Sequence, residues 1–90
     1  MQANEIKWQR EGSRGTTGFY IIKKSDKGEY RVQLRRKEHY ILATIFKIEG
    51  KYSWDKEYKM VDQSKYPNYK TAKERAVRDL NELLLTGDLM

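Results

Sequence analysis

The stretch EYRVQLRRKEHYILATIF, residues 29–46, predicts the fold of this 90-residue chain. Polar and apolar residues alternate in its first half, so Tyr30, Val32 and Leu34 leave one face of a strand and the arginines leave the other. Its second half is apolar at both parities, which is typical of a central strand covered on both faces. The stretch therefore predicts two neighbouring strands, joined by a turn at 36–39.

A third strand is predicted before this stretch, at GFYIIKK, residues 18–24. The intervening SDKG favours a turn, because Asp26 can bond to the backbone that follows it and Gly28 accepts a positive φ. The strands on either side then form a hairpin. Residues 1–17 show neither helical nor strand periodicity and are rich in glycine and hydroxyl residues, so we expect a flexible basic N-terminal arm, with Trp8 holding its start against the domain.

Beyond the stretch, IEGK at 48–51 predicts another turn. The segment YSWDKEYKMVD, residues 52–62, predicts a fourth strand, because its aromatic residues and Met60 share one parity. QSKYPNY, residues 63–69, is predicted as a loop in which proline restricts the backbone.

The last element is predicted as a helix, KTAKERAVRDLNELLLTGD, residues 70–88. Thr71 and Glu74 have the spacing of a reciprocal capping box, and Gly87 is placed to end the helix. Residues at helical spacing form one apolar stripe: Ala76, Leu80, Leu83 and Leu84.

We therefore predict an α+β fold, in which a small antiparallel sheet of about four strands is followed by one C-terminal amphipathic helix packed on it, in the order β-β-β-β-α. Residues 18–90 are expected to form a single α+β domain, because a chain this short cannot support two cores.

Composition argues against catalysis and against a bound cofactor. There is no cysteine, which excludes disulfides, thiol catalysis and cysteine zinc sites, and His39 is the only histidine. The carboxylates show no paired arrangement, and no glycine-rich phosphate-binding loop occurs. We expect a protein that is not an enzyme, with no catalytic, cofactor-binding or metal-binding residues.

No segment is apolar enough to cross a membrane. The longest apolar run, YILATIF, is far shorter than the ~18 residues of a spanning helix. The polar N-terminus lacks the apolar core of a signal peptide. We expect a cytoplasmic protein with no membrane partner.

The net charge of +6 is confined to one half of the chain. Residues 1–47 hold 11 Lys and Arg against 5 Asp and Glu, whereas residues 48–90 hold 8 of each kind. A localised positive field attracts polyanions, so nucleic acid is the first partner to consider.

The candidate contacts lie on the strand that begins the opening stretch. Alternate residues there leave the same face about 6–7 Å apart, which is near the spacing of successive phosphates. The predicted nucleic-acid-binding residues are Lys23, Lys24, Arg31, Gln33, Arg35, Arg36 and Lys37, with Arg10 and Arg14 on the arm. The alternative is that these side chains are only the solvated face of a half-buried strand.

Three aromatic residues lie among the basic ones, namely Tyr20, Tyr52 and Trp54. Exposed rings would stack on bases. Their parity instead favours positions in the core, where aromatic residues usually lie.

The element order and the basic hairpin FYIIKKSDKGEYRVQLRR give the chain two family likenesses. It resembles the single-stranded-DNA-binding domain of the eukaryotic positive transcription coactivator and its bacterial relatives, over residues 19–85. That resemblance implies strands that hold DNA and helices that mediate dimerisation.

YRVQLRR and YKTAKERA are also similar to the DNA-contacting strand and the helix opening of the small DNA-binding domains of tyrosine integrases and plant ethylene-response factors. This chain departs from that pattern by inserting residues 49–68 between the third strand and the helix.

These observations favour a small non-catalytic nucleic-acid-binding protein, DNA rather than RNA, that uses the face of its sheet. The alternative is a protein-interaction module or inhibitor, of phage or mobile-element origin, that docks on an acidic protein surface. The doubly apolar third strand and Leu83–Leu85 further predict a homodimer.

Overall fold

The structure is a computed structural model that describes residues 7–12, 18–26 and 28–86. Five antiparallel strands form one sheet in sequential order, and a single helix follows them. The elements are β1 (Gln9–Glu11), β2 (Gly18–Ser25), β3 (Gly28–Arg36), β4 (Ile41–Glu49), β5 (Glu57–Tyr66) and α1 (Tyr69–Thr86). The predicted α+β class is confirmed, with one strand more than the four expected.

The additional strand lies within the segment predicted as an arm. β1 pairs antiparallel with the start of β2, and Gln9 lies opposite Tyr20 in the register. Trp8, just before it, packs against the core cluster. A strand of three polar residues is too short to show a hydrophobic period in the sequence. As an edge strand, it is held by backbone pairing on one side only. The rest of the predicted arm, residues 1–6 and 13–17, lies outside the described residues.

The last strand begins and ends later than predicted. Residues 52–56, expected to open a strand, form the loop between β4 and β5, and residues 63–66, expected to be a loop, belong to β5. β5 is an edge strand whose residues are mostly exposed, so its formation depends on hydrogen bonds to β4 and leaves little hydrophobic pattern.

The helix is capped by Asn68 and not by the predicted Thr71. The side-chain oxygen of Asn68 accepts a hydrogen bond from the Thr71 N–H at 2.8 Å, and its carbonyl accepts one from the Ala72 N–H at 3.0 Å. The Asn68 side chain therefore satisfies one of the amides that have no partner within the helix, and its carbonyl accepts the first hydrogen bond of the helix. Gly87, predicted to end the helix, lies outside the described residues.

The core lies between α1 and one face of the sheet. Tyr30, Val32 and Leu34 are fully buried there, as the alternation in β3 predicts. The rest of the cluster comes from β2, β4 and α1: Ile21, Ile41, Ala43, Ile45, Ala72, Ala76, Val77 and Leu80.

A β-bulge interrupts the pairing of β4 with β5. Ile45 lies opposite Asp62, but Phe46 lies opposite Met60, so Val61 is the extra residue. Val61 packs against the core, whereas Tyr58 and Met60 leave the opposite face of the sheet.

Across the residues that the structure describes, no helix is long and apolar enough to cross a membrane.

Candidate nucleic-acid interface

The candidate site is the sheet surface that faces away from α1, called here the open face. Side chains alternate between the two faces of each strand, and the register aligns them in rows across the sheet. The open-face residues are Gln9, Glu11, Tyr20, Ile22, Lys24, Glu29, Arg31, Gln33, Arg35, Leu42, Thr44, Phe46, Ile48, Tyr58, Met60, Gln63 and Lys65. The described residues therefore place basic, amide and aromatic groups together on one surface.

Four of the predicted contact residues lie together on the open face. Arg31, Gln33 and Arg35 leave β3 on this side, because the residues between them point into the core. Lys24 of β2 joins them through its pairing with Glu29.

The other predicted contacts lie elsewhere. Lys23 and Arg10 pair with Tyr30 and Phe19, so both point to the side of the sheet that carries α1. The Arg36 guanidinium lies 5.6 Å from the centre of the Tyr69 ring on the helix. Lys37 is exposed in the β3–β4 turn, and Arg14 lies outside the described residues. The predicted set is therefore divided between the two faces of the sheet.

Glu11 on β1 partly neutralises the arginines of the open face. Its carboxylate forms ion pairs with both Arg31 and Arg35, the second at 3.0 Å. No acidic residue lies between these arginines along β3, and the carboxylate comes instead from β1, two strands away in the sheet.

Arg31 is held from two directions. Its guanidinium carbon lies 4.0 Å from the centre of the Tyr20 ring, within range of a cation–π interaction. Only 14% of its side chain is exposed, compared with 44% for Arg35. Arg35 is therefore the more accessible of the two cations, and Arg31 fixes the local geometry.

A shallow concavity of about 360 Å³ lies at the middle of the open face, lined by Arg31, Gln33, Phe46 and Tyr58. The Phe46 and Tyr58 rings meet edge to face at 6.1 Å between their centres. The concavity thus combines two aromatic rings with a guanidinium and an amide. These groups together suit a planar ligand with hydrogen-bonding edges.

Two residues of β5 add apolar surface that the sequence did not predict here. Tyr58 is 50% exposed and Met60 is 59% exposed. Strict alternation backward from Tyr66, which packs against the core, would turn both toward the helix. The bulge at Val61 reverses their direction. Nothing in the sequence marks the position of the bulge.

Two ion pairs lie near the β4–β5 loop, the first at the end of the open face and the second on the side of the sheet that carries α1. Lys56 lies 3.6 Å from Glu29, and Lys59 lies 3.0 Å from Glu49. The hydrogen bond from Lys59 holds the pKa of the Glu49 carboxyl below its usual value. Both pairs are partly exposed, so they contribute little to stability.

The described residues provide no group of three or more His, Cys, Asp or Glu that could hold a metal ion. The chain matches no protein-family model, no curated protein and no solved structure.

Proposed function

We propose that this protein binds nucleic acid on its open face, as a non-catalytic binder of single strands. The proposal is supported above all by the interleaving of Arg31, Gln33 and Arg35 with exposed or half-buried rings on a surface that α1 leaves uncovered. Proteins that bind single strands combine these two features, because bases stack on the rings while cations follow the phosphates.

Single strands suit this surface better than a duplex. The Phe46 and Tyr58 rings lie within the sheet surface, where only an unstacked base could contact their faces. Lys24, Arg35 and Lys65 surround them on the same surface and would contact phosphates. The net charge of +6 favours association with any polyanion. DNA is favoured over RNA by both family likenesses.

Fluorescence anisotropy with labelled single-stranded DNA, single-stranded RNA and duplex DNA tests the proposal. We expect binding of single strands in roughly the micromolar range at low salt, weakening steeply between about 50 and 200 mM salt. A triple variant, Lys24→Gln, Arg35→Gln and Lys65→Gln, should lose about tenfold or more in affinity. The slope of log affinity against log salt should fall by about 2 in magnitude. The variant makes fewer phosphate contacts, so its binding releases fewer counterions.

The matched control has the same charge change on the helix. Lys70→Gln, Arg75→Gln and Arg78→Gln replace three exposed cations of α1 and leave the open face intact. An equal loss of affinity in both triple variants would mean that only net charge matters, and the open face would be the wrong site. Absence of binding at low salt would refute the proposal.

A second candidate function has its own supporting observation. Arg31 and Arg35 already have an acidic partner, and the face also exposes Ile22 and Met60, which a protein partner would bury. On this view the open face docks on an acidic protein surface. Recovery of one stoichiometric protein in a pull-down after nuclease treatment, together with no oligonucleotide binding, would favour it.

A further inference from the structure

The loop between β4 and β5, residues 50–56, is closed by hydrogen bonds around Asp55. The Asp55 carboxylate accepts a hydrogen bond from the Tyr52 N–H at 2.7 Å, and the Asp55 N–H donates to the Tyr52 carbonyl at 3.2 Å. Gly50 has a φ of 126°, and a Cβ there would lie 2.7 Å from the Asp55 carbonyl oxygen. The loop thus has a defined conformation that depends on these residues.

This loop holds two aromatic rings in a parallel stack. The centres of the Tyr52 and Trp54 rings lie 4.6 Å apart, and their planes differ by 3°. Trp54 is nevertheless 80% exposed. One face of the indole is covered by Tyr52, so the exposed surface is the other face and the rim. Tyr52 is also exposed, so the two rings form one exposed aromatic cluster, and clustered apolar exposure marks a binding site more than a single ring does.

The rings lie beside cations at one end of the open face. The Lys51 ammonium is 5.6 Å from the centre of the Tyr52 ring, and Lys56 is paired with Glu29, an open-face residue of β3. Tyr58 is the second residue of β5, just after the loop. A strand of nucleic acid lying along the open face would therefore reach Trp54 where it leaves the sheet.

We propose that Trp54, supported by Tyr52, is a base-stacking subsite for a nucleobase at the end of the bound single strand. This inference rests on the proposed function. A third planar ring would extend the existing stack, and Lys51 lies close enough to meet the neighbouring phosphate. The loop sequence GKYSWDK contains no aliphatic side chain. A lipid surface would use such side chains around the aromatic ring.

Tryptophan fluorescence in a Trp8→Phe background, where Trp54 is the only tryptophan, tests the proposal directly. The probe is an oligothymidylate of about 12 residues, within the site sizes of known single-strand binders. We expect saturable quenching of the Trp54 emission, at the concentrations that saturate the anisotropy signal. Trp54→Ala should weaken binding by about 5- to 100-fold, because one stacked base is lost. The salt slope should stay unchanged, because no phosphate contact is removed.

An abasic oligonucleotide of the same length is the control, because it keeps the phosphates and lacks the bases. Its affinity should not change with Trp54→Ala, and Trp54→Phe should recover part of the affinity for oligothymidylate. Circular dichroism checks that each variant is folded. Equal weakening with the abasic strand, or no quenching, would overturn the subsite. If Trp54→Ala binds normally while the open-face triple variant does not, only the subsite fails. If no oligonucleotide binds the parent protein, both proposals fail.

Discussion

Glu11 determines how the two arginines of the open face present their charge. Its carboxylate accepts from Arg31 and Arg35 and so takes the position that a phosphate oxygen would otherwise occupy. Anionic acceptors compete for the same N–H groups, because guanidinium groups bind carboxylate and phosphate in similar geometry. A phosphate that binds here must displace Glu11 or share the arginines with it.

Glu11→Gln should therefore raise the affinity for single-stranded oligonucleotides at low salt, by about two- to tenfold, because the competing charge is removed. It should also lower the free energy of unfolding by about 1–2 kcal/mol, because Arg31 is largely buried and loses its ionic partner. For a domain of this size that corresponds to a fall in Tm of roughly 4–16 °C. Anisotropy and thermal unfolding measure the two effects.

Glu82→Gln is the matched control, because it removes the same charge from the exposed face of α1. If both variants raise the affinity equally, the effect comes from net charge alone. Weaker binding by Glu11→Gln would show instead that Glu11 holds the arginines in their binding position.

At the scale of elements, a polar contact joins α1 to β5. The Tyr66 hydroxyl donates a hydrogen bond to the Asp79 carboxylate at 2.7 Å. Burial raises the pKa of Tyr66 above its ordinary value of 10.0, and the bond to Asp79 raises it further. Burial also raises the pKa of Tyr30. The folded protein therefore keeps these protons at pH values where the unfolded chain releases them.

Stability should fall as the pH rises through about 10, because the unfolded state then binds fewer protons than the folded state. Tyr66→Phe should lower the free energy of unfolding by about 1 kcal/mol at neutral pH. Above pH ~10 the variant should then lose less additional stability than the parent protein does. Tyr40→Phe, whose hydroxyl makes no contact with Asp79, serves as the control. Thermal unfolding across the alkaline range measures the loss of stability in the parent protein and in the two variants. An alkaline loss as large in Tyr66→Phe as in the parent would contradict this assignment.

The cap of α1 gives a second prediction at this scale. Asn68→Ala should lower the free energy of unfolding by about 0.5–2 kcal/mol, because the Thr71 N–H loses its acceptor. Thr71→Ala should lower the free energy of unfolding by less than Asn68→Ala does. A capping box at Thr71 would instead make Thr71→Ala the more destabilising substitution. Urea unfolding of the two variants distinguishes the two caps, and a larger loss for Thr71→Ala would contradict the observed one.

Sequence patterns predicted the elements whose side chains are buried. β3 has strict alternation, β4 is apolar at both parities and α1 has one apolar stripe, and all three are present. β1 and β5 are edge strands, and backbone hydrogen bonds to one neighbour specify them more than hydrophobic burial does. Their bounds therefore could not be read from the residues.

For the whole molecule, the homodimer stays a prediction, and an exposed leucine at the end of α1 offers one place to test it. Leu83 and Leu84 pack against the core, but Leu85 is 83% exposed at the end of α1. An interface there would leave the open face accessible. Leu85→Ser should therefore shift light scattering from dimer to monomer without weakening oligonucleotide binding. A parent protein that is monomeric at high concentration would refute the dimer.

The candidate site was predictable in part, because its basic residues come from one strand. Arg31, Gln33 and Arg35 share a face through the period of two, which the sequence displays. Their acidic partner Glu11 lies 20 and 24 positions away in the chain and meets them only through the order of the strands. Contacts of this kind depend on tertiary pairing, which a pattern of neighbouring residues does not encode.

The bulge in β5 keeps two side chains on the open face although the residue count back from Tyr66 would place them on the other. Because the period of a strand is two, one extra residue in a regular strand acts on every following position as a frameshift acts on codons. Val61 is that extra residue, and its bulge restores the frame, so that Met60 still lies opposite Phe46. Regular pairing of Val61 would turn Tyr58 and Met60 toward the helix, with no change in their identity. The aromatic surface of the open face is thus specified by where β5 departs from regular pairing, as well as by its residues.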